Sequence, residues 1–183
     1  MTPLSTLATA ATASVRAPDA PTLGATLRVV SDSFTDGGAM PADYVFTAAG
    51  GKNKSPQLSW SGAPRGTKSF AVTCFDPDAP TGSGYWHWVA FNIPANVDRV
   101  DVGEGKGESP RDAMSGYTDF GMSGYAGPWP PAGDGQHHYT FTVYALDVPD
   151  VDGGSDKTTG ATLIFLTRGH VLATGSITGL FGL

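Results

Sequence analysis

The chain predicts a mostly β fold with long loops, and three observations carry that prediction. Its 183 residues include 25 glycines and 14 prolines, well above the roughly 12% that average usage of the two would give. Charged residues make up only 15%, against about 25% in an ordinary globular chain. Three segments, 70–76, 86–93 and 137–146, alternate their side chains with a period of two and are apolar on both faces. Strands of that kind belong in the middle of a layered structure.

Taken in order, residues 1–22 read as a disordered tail before a single domain at 23–183. The tail is rich in Ala, Thr and Pro, has no basic residue before Arg16 and lacks a continuous apolar stretch. The expected location is the cytoplasm; the small residues from Leu7 to Ala13 resemble a cleavage region, which makes the periplasm or secretion the alternative. Ala25–Val30 reads as a short strand, Asp36–Gly38 as a turn and Tyr44–Thr47 as another short strand. Gly50–Gln57 is loop, and Leu58–Trp60 begins a strand.

On the first long strand Phe70, Val72, Cys74 and Asp76 share one face. On the second, Tyr85, His87, Val89, Phe91 and Ile93 oppose Trp86, Trp88, Ala90 and Asn92. On the third, His137, Tyr139, Phe141, Val143 and Ala145 oppose His138, Thr140, Thr142, Tyr144 and Leu146. Asn96–Pro131 is a long glycine-rich excursion of the kind that carries function or moves. Thr159–Ala173 sets Leu163, Leu166, His170 and Val171 at helical spacing, with a threonine N-cap and Gly175 beyond its end, so the one helix is expected there.

A net charge of -6 with 11 Lys+Arg leaves no basic stripe for phosphate backbones or anionic lipid surfaces. Nucleic acid is therefore not an expected partner. No apolar run reaches the ~20 residues of a membrane-spanning helix. Cys74, the only cysteine, excludes an intrachain disulfide and reads as an inert core residue.

Asp76 ends its strand and is followed by Pro77, Asp78 and Pro80. Two readings stand for the aspartates: acceptors of backbone N–H groups in a tight turn, or, for Asp76, a carboxylate that orients a histidine. His87 and His137 each start a strand behind a Gly/Pro-rich loop, with Tyr85 and Tyr139 on their respective faces, so two imidazoles and two phenols could line one mouth. His138 must face away from His137. No close ligand pair such as HExxH or CxxC is present, and no metal or cofactor is expected. GMSGYAG around Ser123 lacks the spacing of a hydrolase nucleophile turn.

At these residues the chain resembles the phosphatidylethanolamine-binding protein family, the Raf kinase inhibitor-like proteins, and most of all its bacterial branch. DPDAP from Asp76, followed by WHW at Trp86–Trp88, is similar to one block of that family, and GYAGPWPPAGDGQHHY from Gly124 to another. FTDGG at Phe34, NKSPQLSWSGAPRGTKS at Asn53, TDFG at Thr118, VYAL at Val143 and RGHVLATG at Arg168 extend the likeness from about Leu23 to Leu180.

The resemblance implies an antiparallel β-sandwich with a C-terminal helix near a small anion pocket. Its residues would be Asp76, Tyr85, His87, Pro131, His137 and Tyr139, backed by Asp78, Pro80, Tyr125 and Gly127. It implies a non-catalytic module for phosphate, carboxylate or phospholipid head groups, with a kinase or protease as a candidate protein partner and a homodimer as a further one. The alternatives are a weak hydrolase or metal-assisted phosphoesterase using Asp76, His87 and His137, and an assembly role through the glycine-rich loop and the apolar GLFGL end. Three positions depart from the family pattern: Tyr85 stands for tryptophan, Trp129 for glycine or cysteine, and His138 for an arginine whose loss removes permanent charge at the mouth. Asp76 is expected to accept from a ring nitrogen and favour the protonated imidazole.

Overall fold

The computed structural model describes residues 25–105 and 113–183; the expected tail at 1–22 and part of the excursion, 106–112, lie outside the described residues. In chain order the strands are β1 (Ala25–Thr26), β2 (Arg28–Val30), β3 (Gly38–Ala39), β4 (Leu58–Ser61), β5 (Ser69–Asp76), β6 (Tyr85–Pro94), β7 (Arg99–Val100), β8 (Met114–Ser115), β9 (Gln136–Leu146) and β10 (Val171–Gly182). Helix α1 (Gly160–Leu166) precedes β10.

The apolar runs take the buried centre. A seven-stranded sheet has the order β1-β10-β9-β5-β6-β8, with β3 also paired to β10. Its long neighbours are antiparallel, and only the two-residue strands β1 and β3 run parallel to β10. A second sheet, β2-β4-β7, covers one face. Between the sheets lie Leu27, Leu58 and Trp60 with Phe70, Val72, Cys74, Trp88, Tyr139 and Phe141. On the opposite face Ala71, Val89, Phe91 and Leu146 pack with Leu163 of α1. The mostly β sandwich with a helix late in the chain is therefore the observed architecture.

Four local expectations are corrected. The strand expected at Ala25–Val30 is two strands in different sheets, divided at Leu27, whose N–H donates to Thr174 O at 2.9 Å. Residues 44–47 are not a strand: two single-turn 3-10 helices, Ala42–Tyr44 and Thr47–Ala49, flank Val45 and Phe46. The helix stops at Leu166 rather than near Ala173. Thr159 does cap it, its side chain accepting from Thr162 N, but His170 and Val171 belong to the turn and start of β10. Gly175, taken as the end of the helix, instead lies mid-strand where a Cβ would stand 2.1 Å from Leu27 O. The GLFGL end is likewise strand as far as Gly182, paired to β9.

The fourth correction bears on the site. β6 slips against β5 twice: Cys74 faces Trp88 while Phe75 faces Trp86, and Phe70 faces Ile93 while Val72 faces Ala90. The first slip leaves His87 as an extra residue, a bulge that resets the alternation. Trp88 and Ala90 consequently join Cys74 between the sheets, on the side towards which His87 also turns, against the Tyr139 ring at 5.1 Å. The second slip falls at Asn92, whose φ of 61° is left-handed.

Phe141 sits at the middle of β9, 5.4 Å from the Phe34 ring and 6.3 Å from Tyr125, and opposite Cys74 in the ladder. Replacing it with alanine should remove about 3–5 kcal/mol of stability, read as a lower midpoint in urea unfolding followed by far-ultraviolet circular dichroism.

Candidate functional site

The sharp turn after β5 begins at Asp76, where Pro77 and Pro80 fix the backbone angle. Asp76 Oδ1 accepts from the N–H groups of Asp78 at 2.8 Å and Ala79 at 3.1 Å. Its Oδ2 lies 2.8 Å from His137 Nδ1 at the start of β9. Both readings of this aspartate therefore hold at once, one oxygen for each. Asp78 repeats the tie one residue along: its Oδ2 accepts from the backbone N–H of His138 and lies 2.7 Å from His138 Nδ1. The bond from the His138 side chain holds the Asp78 carboxyl below its ordinary range.

His87 is held differently. Its Nδ1 faces two carbonyls, Ala126 O at 2.7 Å and Gly127 O at 3.2 Å. Two acceptors require Nδ1 to carry the hydrogen, so the neutral ring keeps its lone pair on Nε2. Asp76 likewise fixes the hydrogen of His137 on Nδ1 and leaves Nε2 as that ring's open nitrogen. Burial pushes the His87 pKa down, against the upward pull of the carbonyls and of Asp76 and Asp119. Asp76 favours the charged form of His87, as a nearby carboxylate should, but desolvation is the larger effect at that ring.

The carbonyls that clamp His87 are themselves fixed by Asn53. Its Oδ1 accepts from Gly127 N at 2.7 Å and its Nδ2 donates to Tyr125 O at 3.3 Å. Gly127 must be glycine, since a Cβ would stand 2.2 Å from Tyr44 O. Tyr125 is buried behind this wall, its hydroxyl donating to Tyr44 O at 2.8 Å.

These elements enclose a cavity of about 270 Å³ lined by Asp76, Pro80, Thr81, Tyr85, His87, Phe120, Trp129, Pro131 and His137, among others. Five of the six residues expected at the pocket therefore line one cavity. Tyr139 does not: it is fully buried beneath the two imidazoles, stacked against His137 at 6.4 Å. Among the described residues its hydroxyl meets no partner in good hydrogen-bond geometry, and burial together with the nearby Asp76 carboxylate pushes its pKa far up. Of the expected supporting residues, Pro80 reaches the lining, while Asp78, Tyr125 and Gly127 hold it from outside. Among the described residues no lysine or arginine lines the cavity. Among the described residues, no three His, Cys, Asp or Glu side chains are grouped so as to hold a metal ion. Burial raises the Cys74 thiol well above its usual range, as suits a core position.

Residue reasoning missed the aromatic wall. Phe120 meets the edges of Tyr85 at 5.0 Å and His87 at 5.2 Å. Trp129, 49% exposed, stacks on Phe46 at 5.5 Å and closes the mouth. Asp119 pins this wall to β6, accepting from Tyr85 Oη through its carbonyl and from Trp86 N through Oδ2, both at 2.8 Å. Their only sequence signal was membership of the TDFG and GPWPP segments; for Asn53 it was NKSPQ.

The chain matches the profile of the family described as phosphatidylethanolamine-binding protein over residues 30–182. The UPF0098 protein YbhB of Escherichia coli K12 is 46% identical over 161 residues, covering 85% of this chain and 99% of that protein. The crystal structure of Escherichia coli YbcL, described as a new member of the mammalian PEBP family, superposes with a TM-score of 0.81 at 41% identity, over 86% of this chain and 98% of that one. A Chlamydia trachomatis homologue gives 0.74 at 30% identity, over 86% and 98% of the two chains. With its paired sheets, its two histidine-bearing strand ends and these relatives, the chain belongs to the phosphatidylethanolamine-binding protein family.

Proposed function

We propose that this protein is a non-catalytic binding module whose cavity takes a small oxyanion, either free or carried on a larger molecule. The observation that supports the reading is the pairing of His87 and His137. Both rings are 3% exposed and both line the cavity. Both have Nδ1 committed to the protein, which leaves Nε2 of each for a ligand. Walls of Phe120, Trp129 and prolines exclude water and strengthen whatever polar contacts form. A phosphoryl or carboxyl group on a lipid head group or on a phosphorylated partner protein would reach the same nitrogens past Trp129, and an inhibitory role towards a kinase or protease would act through that contact.

With a net charge of -6, long-range steering opposes an anion, and the attraction has to come from protons at short range. Anion binding therefore takes up protons at the cavity. The sign follows: the protonated ring is the better partner for an anion, and burial sets the His87 pKa below the usual histidine value of about 6.5. Affinity for phosphate should rise as pH falls, with the His87 contribution entering only below about 6.5. Titration calorimetry in buffers of different ionisation enthalpy would report the accompanying proton uptake, and an affinity independent of pH with no proton uptake would rule the scheme out.

Alanine at His87 or at His137 should each weaken phosphate binding by about 1–3 kcal/mol. Normal binding by both variants, with unchanged thermal unfolding, would place the ligand elsewhere.

A further inference from the structure

The chain has three Asp–Gly steps, Asp36–Gly37, Asp134–Gly135 and Asp152–Gly153, and the fold treats one of them differently. A glycine puts no side chain over its own nitrogen, so that nitrogen can approach the carboxyl carbon of the aspartate before it. The approach needs a free N–H, a free carboxyl and an Asp–Gly peptide that can rotate. At Asp36 none of these is free. Gly37 N donates to Thr178 O at 2.8 Å, Asp36 Oδ1 accepts from Thr178 N at 2.9 Å, and Gly38 N closes a turn on Thr35 O at 2.9 Å. At Asp152 the peptide is again the middle one of a closed turn, with Gly154 N donating to Val151 O at 3.0 Å and Gly153 at a φ of 73°. That bond and that φ describe a type II turn, whose central peptide is held in one orientation.

Asp134–Gly135 lies just past a turn rather than inside one. Asp134 N donates to Pro131 O at 3.3 Å, so the closing bond ends at Asp134 and leaves the next peptide outside it. Among the described residues Gly135 N donates to no acceptor. The Asp134 carboxylate, 41% exposed, accepts no hydrogen bond among them; its ion-pair contact is with His137 Nε2 at 3.9 Å. Gly135 has a φ of 88° and open space where a Cβ would stand. Of the three steps, only this one leaves nucleophile and electrophile adjacent, exposed and unengaged.

We propose that Asp134–Gly135, at the rim of the cavity, is a site of spontaneous covalent modification that converts Asp134 to isoaspartate. Gly135 N bonds to Cγ of the Asp134 carboxyl in its acid form; the amide hydrogen and the carboxyl hydroxyl leave as water, and a succinimide ring closes. Water then adds to one of the two ring carbonyls. Breaking the bond from N to Cγ restores aspartate, whereas breaking the bond from N to the backbone carbonyl carbon leaves isoaspartate, with the chain running through Cγ. One water leaves and one returns, and nothing is oxidised or reduced. The product sets the carboxylate on Cα and adds one carbon to the backbone just ahead of Gln136, where β9 begins. The Gly135 carbonyl packs against Gly182 there, where a Cβ would stand 2.4 Å away, so the extra length cannot be taken up towards β10 and displaces the rim beside His137. The inference goes beyond the oxyanion reading and does not depend on what the cavity binds.

The test is incubation of the full chain in heavy-oxygen water at mildly acidic pH, followed by digestion and tandem mass spectrometry, which reads the incorporated oxygen and separates aspartate from isoaspartate. Residue 134 should take up label and form isoaspartate about tenfold faster than residues 36 and 152, the factor set by breaking one or two hydrogen bonds before ring closure. In urea concentrated enough to unfold the chain the three steps should react at similar rates, since the difference between them lies in the fold. Asp134→Glu, whose longer side chain closes a larger and slower ring, should abolish the label at 134 and leave the other two sites unchanged. Reaction at 134 no faster than at 36 or 152 in the folded chain would overturn the proposal. So would an excess at 134 that persists undiminished in urea, because it would owe nothing to the turn that ends at Asp134.

Discussion

The site depends on the two-sided bonding of the Asp76 carboxylate. One oxygen gathers the amides that form the turn after β5, and the other reaches across to His137 on β9. A carboxylate that is only 2% exposed pays a large desolvation cost unless its lone pairs are occupied. Here three donors occupy them, so the turn, the strand end and the imidazole orientation are set together. The Asp78–His138 contact runs parallel to it at the surface. There both side chains are partly solvated, and the pair adds orientation more than energy.

His87 is positioned by the opposite strategy. No carboxylate bonds it; backbone carbonyls at Ala126 and Gly127 do, and they are placed by Asn53, Tyr125 and a glycine with no room for a side chain. The two histidines thus sit in different electrostatic settings while presenting the same open nitrogen. One is tied to a negative charge and the other only to dipoles in a dry wall. The excursion between β8 and β9 supplies this wall.

Much of this was legible in the sequence. Asp76, His87 and His137 stand at the ends of the strongest strand patterns, and a strand end behind a turn is where a side chain can leave the core and meet a loop. The faces of β9 follow simple alternation, with His137, Tyr139 and Phe141 turned inward as read. Simple alternation failed on β6 because a bulge depends on which partner strand lies alongside, and nothing in Tyr85–Trp88 states that partner. Tyr139 was misplaced for a related reason: sharing a face with His137 put it under the cavity, one layer too deep, since the same face changes from pocket to core within two residues. The helix was extended too far because Gly175 read as the signal beyond its end. In space Gly175 and Gly179 let Leu27 and Met40 approach β10 closely, a requirement set by residues roughly 140 to 150 positions earlier in the chain.

What a sequence pattern cannot express is direction. Two histidines near an aspartate suggest positive charge and an anion, and the family likeness suggests the same. The hydrogen-bond partners reverse the sense of the open nitrogens: carbonyls and a carboxylate take the Nδ1 hydrogens, and burial withholds a second proton from His87. Among the described residues no lysine or arginine lines the cavity, and the chain carries a net charge of -6, so the proposed oxyanion would depend on short-range donors rather than on fixed positive charge. The orientation of the two rings in that cavity is set by Asn53, Gly127 and Asp76.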